Sequence, residues 1–426
     1  MPSLIEFPTI VQQAVEQCGA GFANEPARRH FADYRTGLLV AAKKNVTGLN
    51  AAFAQTTDPS CLNTWLTQGD WDVRALNRQR LAWPQRDPAT RYAPSAIIPI
   101  DNTLVDHAGK LSEDVGYCWD HAEQRHKIAH HYLLVNSVCP SGTHYALELR
   151  RFRKRADCAA PRAELAARPG GGAAAAAQEQ RRATFKTHTA LWWELSDWVV
   201  AEQIPGTFTF ASSFTNAPVL NPLHGSPRAY VGDLKCNRKV WVRGVELRAT
   251  EMAAQIGPEA RKKSQMGDPT PCYFTKTIWL PEVNHAVRVV ILWEYWNGKE
   301  PVKMLLTNQT HWDVTRILRS YRGRWTGTET LPRDGKQPLG LGDCQLRSGE
   351  GQTRHFYLVR LGHSLLRAQL RQGRVRDWAG MTLTTSGEAC RAVLRETLGK
   401  TLTWAIERAT LDGWQPERIK VHWALI

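Results

Sequence analysis

Ala96-Ile97-Ile98-Pro99-Ile100-Asp101-Asn102 is a short apolar run closed by an acid and an amide. Such a run, ending on turn-forming residues, has the pattern of a buried strand. Upstream of it, apolar residues recur at helical spacing, as in Phe31, Tyr34, Leu38 and Leu39 and then Leu49 and Phe53, with Asp58-Pro59 and Asn63 as breaks. Short helices joined by tight turns are expected there. Downstream the strand pattern returns in residues 132–138, in their neighbour 143–152, and in Thr207-Phe208-Thr209-Phe210. Between these lie a low-complexity stretch, Pro169-Gly170-Gly171-Gly172 followed by Ala173 to Ala177, and a helical segment, 184–202, closed by Pro205-Gly206. The first of these reads as a loop leading into a helix. Strands alternating with helices predict an α/β core.

Residues 228–308 depart from that alternation. Strand signals crowd together at 229–231, 239–242, 273–280, 287–293 and 302–306, separated by Pro, Gly and Asn. They predict a β-rich insertion into the core. Helical patterning resumes at 313–321, over most of 353–371, and at 389–409. The expected organisation is a helical N-terminal DNA-binding region, 1–90; the first part of the core, 91–227; the insertion, 228–310; the final core helices, 311–371; and a helical C-terminal region, 372–426. At 426 residues the chain exceeds one ordinary compact core.

Fifty-five Lys and Arg against 40 Asp and Glu give a formal charge of +15, and the pI is near 9.6, so a polyanionic partner is expected. Nucleic acid comes first and an anionic membrane surface second. No apolar run is long enough to span a bilayer, and the first residues lack the layout of a signal peptide, which points to a cytoplasmic, nucleoid-associated protein. Nine scattered cysteines with no Cys-x-x-Cys pair argue against a disulfide framework or a zinc ribbon.

The most specific stretch is Tyr321-Arg322-Gly323-Arg324-Trp325-Thr326-Gly327-Thr328-Glu329, followed by Arg333-Asp334-Gly335-Lys336. It resembles the tyrosine–arginine–glutamate–lysine signature of insertion-sequence transposases with an Asp, Asp and Glu (DDE) active site. The wider text, from Phe31-Ala32-Asp33-Tyr34-Arg35-Thr36-Gly37 through Pro99-Ile100-Asp101 to this signature, resembles the insertion sequence 701 group over nearly the whole chain. The resemblance implies an RNase H-like mixed-sheet core, DNA cleavage and joining at element ends, and Mg²⁺ (or Mn²⁺) as cofactor. Its partners would be double-stranded DNA, both terminal inverted repeats and target, with no membrane. A homodimer on the DNA is one assembly it allows.

By this resemblance Asp101 is the first catalytic acid and Glu329 the last, both metal ligands, and Tyr321, Arg324 and Lys336 meet phosphate. Two-metal chemistry needs carboxylates on both sides of the ion pair. Read without the resemblance, Asp101 would cap the following turn and Glu329 would be a solvated helix-face residue. The second acid should end the strand before Ser212-Ser213-Phe214-Thr215, and there the sequence has Ala211, whose methyl cannot ligate a cation. Asp233 is the nearest downstream acid and reads as a turn residue on a different strand. Pro332 and Gly335 put the continuity of a helix from Glu329 to Lys336 in question.

The basic run Arg150-Arg151-Phe152-Arg153-Lys154-Arg155 reads equally as a DNA-backbone contact, through Arg151, Arg153 and Lys154, or as a solvated face; Arg181-Arg182 and Arg261-Lys262-Lys263 are similar. His121, His126, His130 and His131 have no strong zinc spacing and read as surface or supporting residues. The tryptophans mostly fall on apolar faces. Three activities stay open: an active transposase, a catalytically dead DNA-binding derivative or repressor, and a metal-dependent nuclease using another second acid.

Overall fold

The computed structural model describes residues 4–53, 57–109, 111–155, 171–226, 228–264, 266, 272–372 and 383–422. Five helices come first: α1 (Thr9–Cys18), α2 (Glu25–Val40), α3 (Val46–Asn50), α4 (Pro59–Gln68) and α5 (Val73–Gln85). Asn24, Asn45, Asp58 and Asp72 cap four of them through side-chain oxygens, so the break at Asp58-Pro59 is a helix start, whereas Asn63, also read as a break, lies inside α4.

Four strands follow, β1 (Ile97–Asp106), β2 (Gly116–Asp120), β3 (Arg125–Val138) and β4 (His144–Phe152). Next come α6 (Gly171–Ala183), α7 (His188–Ala201), β5 (Thr207–Phe210), α8 (Ala217–His224) and β6 (Tyr230–Asp233). β4, β3 and β1 are antiparallel neighbours, and β5 and β6 continue the sheet parallel to β1. Three antiparallel strands extended by two parallel ones, with helices on the faces, form the RNase H-like core.

β1 is longer than its apolar run, because residues 102–106 stay paired to β3 although all of them but Val105 face solvent or are half-buried. The sequence pattern ended the strand at Ile100 because apolar periodicity reports burial, whereas backbone pairing needs only a partner strand. β2, which has no such pattern, prolongs the outer edge of β3.

The β-rich region comprises the hairpin β7 (Lys239–Val242) and β8 (Val245–Arg248), α9 (Ala249–Ala254), β9 (Lys262–Lys263), β10 (Cys272–Ile278), β11 (Val287–Trp293) and β12 (Lys303–Thr307). Apart from the hairpin it does not stand off as a separate sheet. β12 pairs antiparallel with β6, and β11, β10 and β9 follow, giving one sheet of ten strands. The remaining helices are α10 (Val314–Trp325), α11 (Leu331–Lys336), α12 (Gly349–Gln372), α13 (Ser386–Thr410) and α14 (Pro416–His422).

Three apolar clusters hold these layers. α7 and α8 bury Leu191, Trp192, Leu195 and Leu220 against Ile98, Ile100, Phe208 and Phe210. α10 lays Val314, Ile317 and Leu318 on Val231, Val290 and Leu305. The N-terminal helices share one core with α12 and α13, in which Phe31, Leu38 and Trp65 join Phe356, Leu361 and Val393. The terminal regions are also tied by polar bonds, such as the Tyr34 hydroxyl to His355 Nδ1 at 2.8 Å.

Among the described residues all eight cysteines are free and no helix is long and apolar enough to cross a membrane. Most of the described tryptophans, Trp192 and Trp293 among them, are buried or half-buried, whereas Trp119, Trp241, Trp279, Trp296 and Trp325 are exposed. His130 is buried beside His107 and Ser112, which corrects its reading as a surface or supporting residue; strand β3 is covered on both faces there.

Candidate active site

The parallel strands β1, β5 and β6 set the frame. Ile100, Phe210 and Gly232 are level with one another, so the next residues, Asp101, Ala211 and Asp233, form a row where the parallel pairing of the three strands ends. Residues level across a parallel sheet present their side chains on one face. Asp233 is thus the last residue of β6 and not a turn aspartate, which the sequence could not reveal without the register.

Ala211 caps a short 3₁₀ turn, Ser212–Phe214, without any side-chain bond. The backbone there, at φ −74° and ψ 168°, suits the short oxygen-bearing side chains preferred at such caps.

The helix above the row explains why the signature residues meet it. A methyl on Gly323 would lie 2.3 Å from Ile97 Cδ1, and one on Gly327 would lie 2.6 Å from Pro99 Cγ. These glycines, one helical turn apart, let α10 descend onto β1, and Asn136 Nδ2 of β3 donates to the Gly327 carbonyl at 2.8 Å. Their spacing was the available sign that this helix presses on a sheet.

At that depth Arg324 Nη1 donates to Asp101 Oδ2 at 2.5 Å, with both side chains at least 85% buried. The other Asp101 oxygen accepts from the Asn102 amide, and Arg324 Nε has no hydrogen-bond partner among the described residues. The Tyr321 ring lies 5.2 Å from the Arg324 guanidinium and 5.7 Å from Lys303 Nζ, which in turn holds Asp233 at 3.0 Å. Each carboxylate of the row therefore faces a cation from the chain itself.

Beyond α10 the helix does not stop. Residues Thr326–Thr330 form a π-helical turn that passes directly into α11. A wider turn accommodates Pro332, which offers no N–H and crowds the carbonyl four residues before it. Helical continuity from Glu329 to Lys336, in question from the sequence, is therefore kept by a local change of helix type. The i→i+5 bonding of that turn sets backbone positions five apart over one another, as 324 and 329 are. The Glu329 side chain lies outside what is described. Lys336 is exposed, within electrostatic reach of Asp106 and Lys127.

The basic run is placed elsewhere and is largely paired. Arg151 and Arg153 hold Asp114 at 3.0 and 2.6 Å, Arg150 bonds Glu194, and Lys154 donates to the Tyr117 carbonyl. With Arg74 and Lys186 these arginines line a groove of about 860 Å³ beside Trp71 and Tyr357. Arg261, read as part of a surface cluster, is buried over the Trp293 ring and bonded to three backbone carbonyls.

A pair of divalent ions does not fit this row as it stands. Ala211 supplies no donor, Asp101 is engaged by Arg324, and among the described residues no group of three or more His, Cys, Asp or Glu could hold an ion.

The family model of the DDE superfamily endonucleases matches residues 19–278. DDE-superfamily nucleases generally use divalent metals. No curated protein matches the chain. Among solved structures, the piggyBac transposase in a cryo-EM synaptic complex with hairpin DNA is similar, with a TM-score of 0.45 and 12% identity over 82% of this chain. This chain spans 60% of the length of that one. The match over residues 19–278, more than half of its length, makes the chain a member of the DDE superfamily endonuclease family.

Proposed function

We propose that this protein is the transposase polypeptide of an insertion element of the 701 group, and that it binds element ends while having lost most or all of its strand cleavage. One observation carries the reading: Ala211 is level with Asp101 on the neighbouring parallel strand, where the second acid of a two-metal site belongs. Arg324 on Asp101 supports it, because an internal guanidinium already neutralises the carboxylate.

DNA binding follows from the +15 charge and from the arginine-lined groove, with terminal inverted repeats as partner and the N-terminal helices as recognition region. Affinity should fall steeply with salt, since each phosphate contact releases condensed counterions. Salt-independent binding of duplex DNA would count against this part.

The decisive test is nicking of a labelled end fragment in Mg²⁺ or Mn²⁺. The protein as it stands should not nick. Ala211→Asp should recover metal-dependent nicking, and adding Asp101→Ala should remove it again. Robust cleavage by the unmodified protein would overturn the placement of Ala211.

A second reading rests on Asp233, which is level with Ala211. In that reading the chain is a metal-dependent nuclease whose second acid is Asp233. It requires cleavage by the unmodified protein that Asp233→Asn abolishes.

A further inference from the structure

At the other end of the same sheet, where β3 turns into β4, lies a cavity of about 300 Å³, at the lower edge of the range for small-molecule sites. His144, which lines it, is level with Val138 and hence with Ile97 and Thr207. It therefore stands four residues, about 13 Å, before the row of strand ends. The walls come from the ends of α5 and α12, with α1 at the mouth.

Its charges are not balanced. Arg86, Arg367 and Arg371 line the cavity against a single carboxylate, Asp87, and Arg371 already holds that carboxylate through two nitrogens at 3.0 and 2.8 Å. Among the described residues the Arg86 and Arg367 side chains make no ion pair or hydrogen bond, although Asp334 lies within electrostatic reach of Arg367. Behind the wall, Arg80 donates to Ser364 at 2.9 Å, and Arg360, 1% exposed, makes no side-chain hydrogen bond among the described residues but lies 5.3 Å over the Tyr357 ring, within electrostatic reach of Glu148. Arg367 is half-buried and Arg86 exposed, and an anion in the cavity that they line would take charge-assisted bonds from both.

The neutral groups are also incomplete. Among the described residues, Oε1 of Gln369, 6% exposed, has no hydrogen-bond partner, and the His144 ring, 2% exposed, has only the Gly142 backbone to turn to. Burial, with His363 and Arg367 nearby, pushes the His144 imidazole down to about 3, so it is neutral and offers one donor and one acceptor. The Gln369 oxygen requires a donor. A ligand that completes the cavity carries about two negative charges for two unpaired arginines and an N–H or O–H group for the amide and imidazole. A phosphomonoester has that charge, whereas a single carboxylate has half of it. The half-buried Trp83 ring on the wall suits a planar base.

We propose that this cavity binds a phosphomonoester carrying a hydrogen-bond donor, a nucleoside 5′-monophosphate or the 5′-phosphorylated end of a DNA strand, at a site separate from the strand-end row. The test is calorimetric titration of the full chain with inorganic phosphate and with dAMP. Both should bind, dAMP more tightly, and Arg367→Gln and Arg86→Gln should each weaken binding about ten-fold, the worth of one charge-assisted hydrogen bond. Gln369→Leu should weaken dAMP and leave phosphate unchanged.

Arg86 is exposed, so its substitution reads binding without disturbing the fold; an unchanged unfolding temperature checks both arginine variants. Displacement of dAMP by a duplex with a 5′-phosphate, but not by one with a 5′-hydroxyl, identifies a strand end; displacement by neither identifies a free nucleotide. Failure of both probes to bind at millimolar concentration, or binding indifferent to both arginine variants, would overturn the proposal. Loss of duplex binding with dAMP binding intact would sink the transposase reading and leave this one standing.

Discussion

The two ends of the central sheet handle charge in opposite ways. At the strand-end row each acid has its cation, Asp101 with Arg324 and Asp233 with Lys303, and the position between them is a methyl. At the β3–β4 end, three arginines share one aspartate and buried polar atoms lack partners. A site whose charges are matched internally has little left to offer an ion. A site with surplus cations and open hydrogen-bonding groups is stabilised by a ligand that supplies what is missing. In the reading proposed above the family's chemistry belongs to the first place, while the surplus of cations lies at the second.

Removing one cation from each end should expose this difference most strongly. Arg324→Met leaves the Asp101 carboxylate at least 85% buried and without its cation, and should destabilise the protein by about 3–5 kcal/mol. Arg367→Met strands no acid, and without ligand it should change stability by less than about 1 kcal/mol. Urea denaturation followed by circular dichroism measures both. Equal losses would erase the contrast between the ends.

How much of this was readable in the sequence depends on what carried the information. Buried strands such as Thr207–Phe210 and Val287–Trp293 announce themselves because both faces are covered and the run is apolar. The second half of β1, and β2, do not, because their pairing is made by backbone groups that any side chain allows. Ala211 could be placed from its neighbours alone. The level position of Asp233 could not, since register arises only when β5 and β6 are laid side by side. The ion pair of Arg324 with Asp101 joins residues 223 apart in sequence, and only the close approach at Gly323 and Gly327 brings them together. The cavity was invisible for the same reason: Arg86, His144 and Arg367 come from three separate elements, and no motif links them.

Acid should act through the buried histidines, one of which lines the cavity and none of which lies in the row. Burial holds His144 at about 3 and His130, His285 and His355 at about 4, against an ordinary 6.5. These histidines are neutral in the fold, so between those values the unfolded chain binds more protons. Stability is therefore complete above pH 6.5 and falls as pH drops towards 4, by up to about 2 kcal/mol per histidine at pH 5. Among the four, only His144 lines the cavity, and the row holds no histidine. His144→Gln should flatten the acid limb of the stability profile by about one histidine's share. A profile unchanged by that substitution would show that His144 is not held neutral at the cavity wall.

The smallest effect should come from Lys303→Met, and it separates the two ion pairs of the row. Lys303 and Asp233 lie 3.0 Å apart, as a good pair should, but their side chains are 39% and 18% exposed, whereas those of Arg324 and Asp101 are 10% and 15% exposed. Burial alone would lower the lysine, but Asp233 and then Tyr321 outweigh it and raise it above its usual 10.5. A raised lysine keeps its contribution until pH climbs past that value, so the effect of the substitution should be constant across neutral pH. Solvent screening of a pair this exposed limits its worth to about 0–1 kcal/mol. Methionine also keeps an apolar stem against the Tyr321 ring. A loss near 3 kcal/mol would mean that Asp233 is as dependent on its cation as Asp101. The row would then be closed equally at both sides, and Asp233 could serve as a second acid only after Lys303 is removed. A loss under 1 kcal/mol leaves Asp233 the accessible carboxylate of the row, and Arg324 the residue that closes the site.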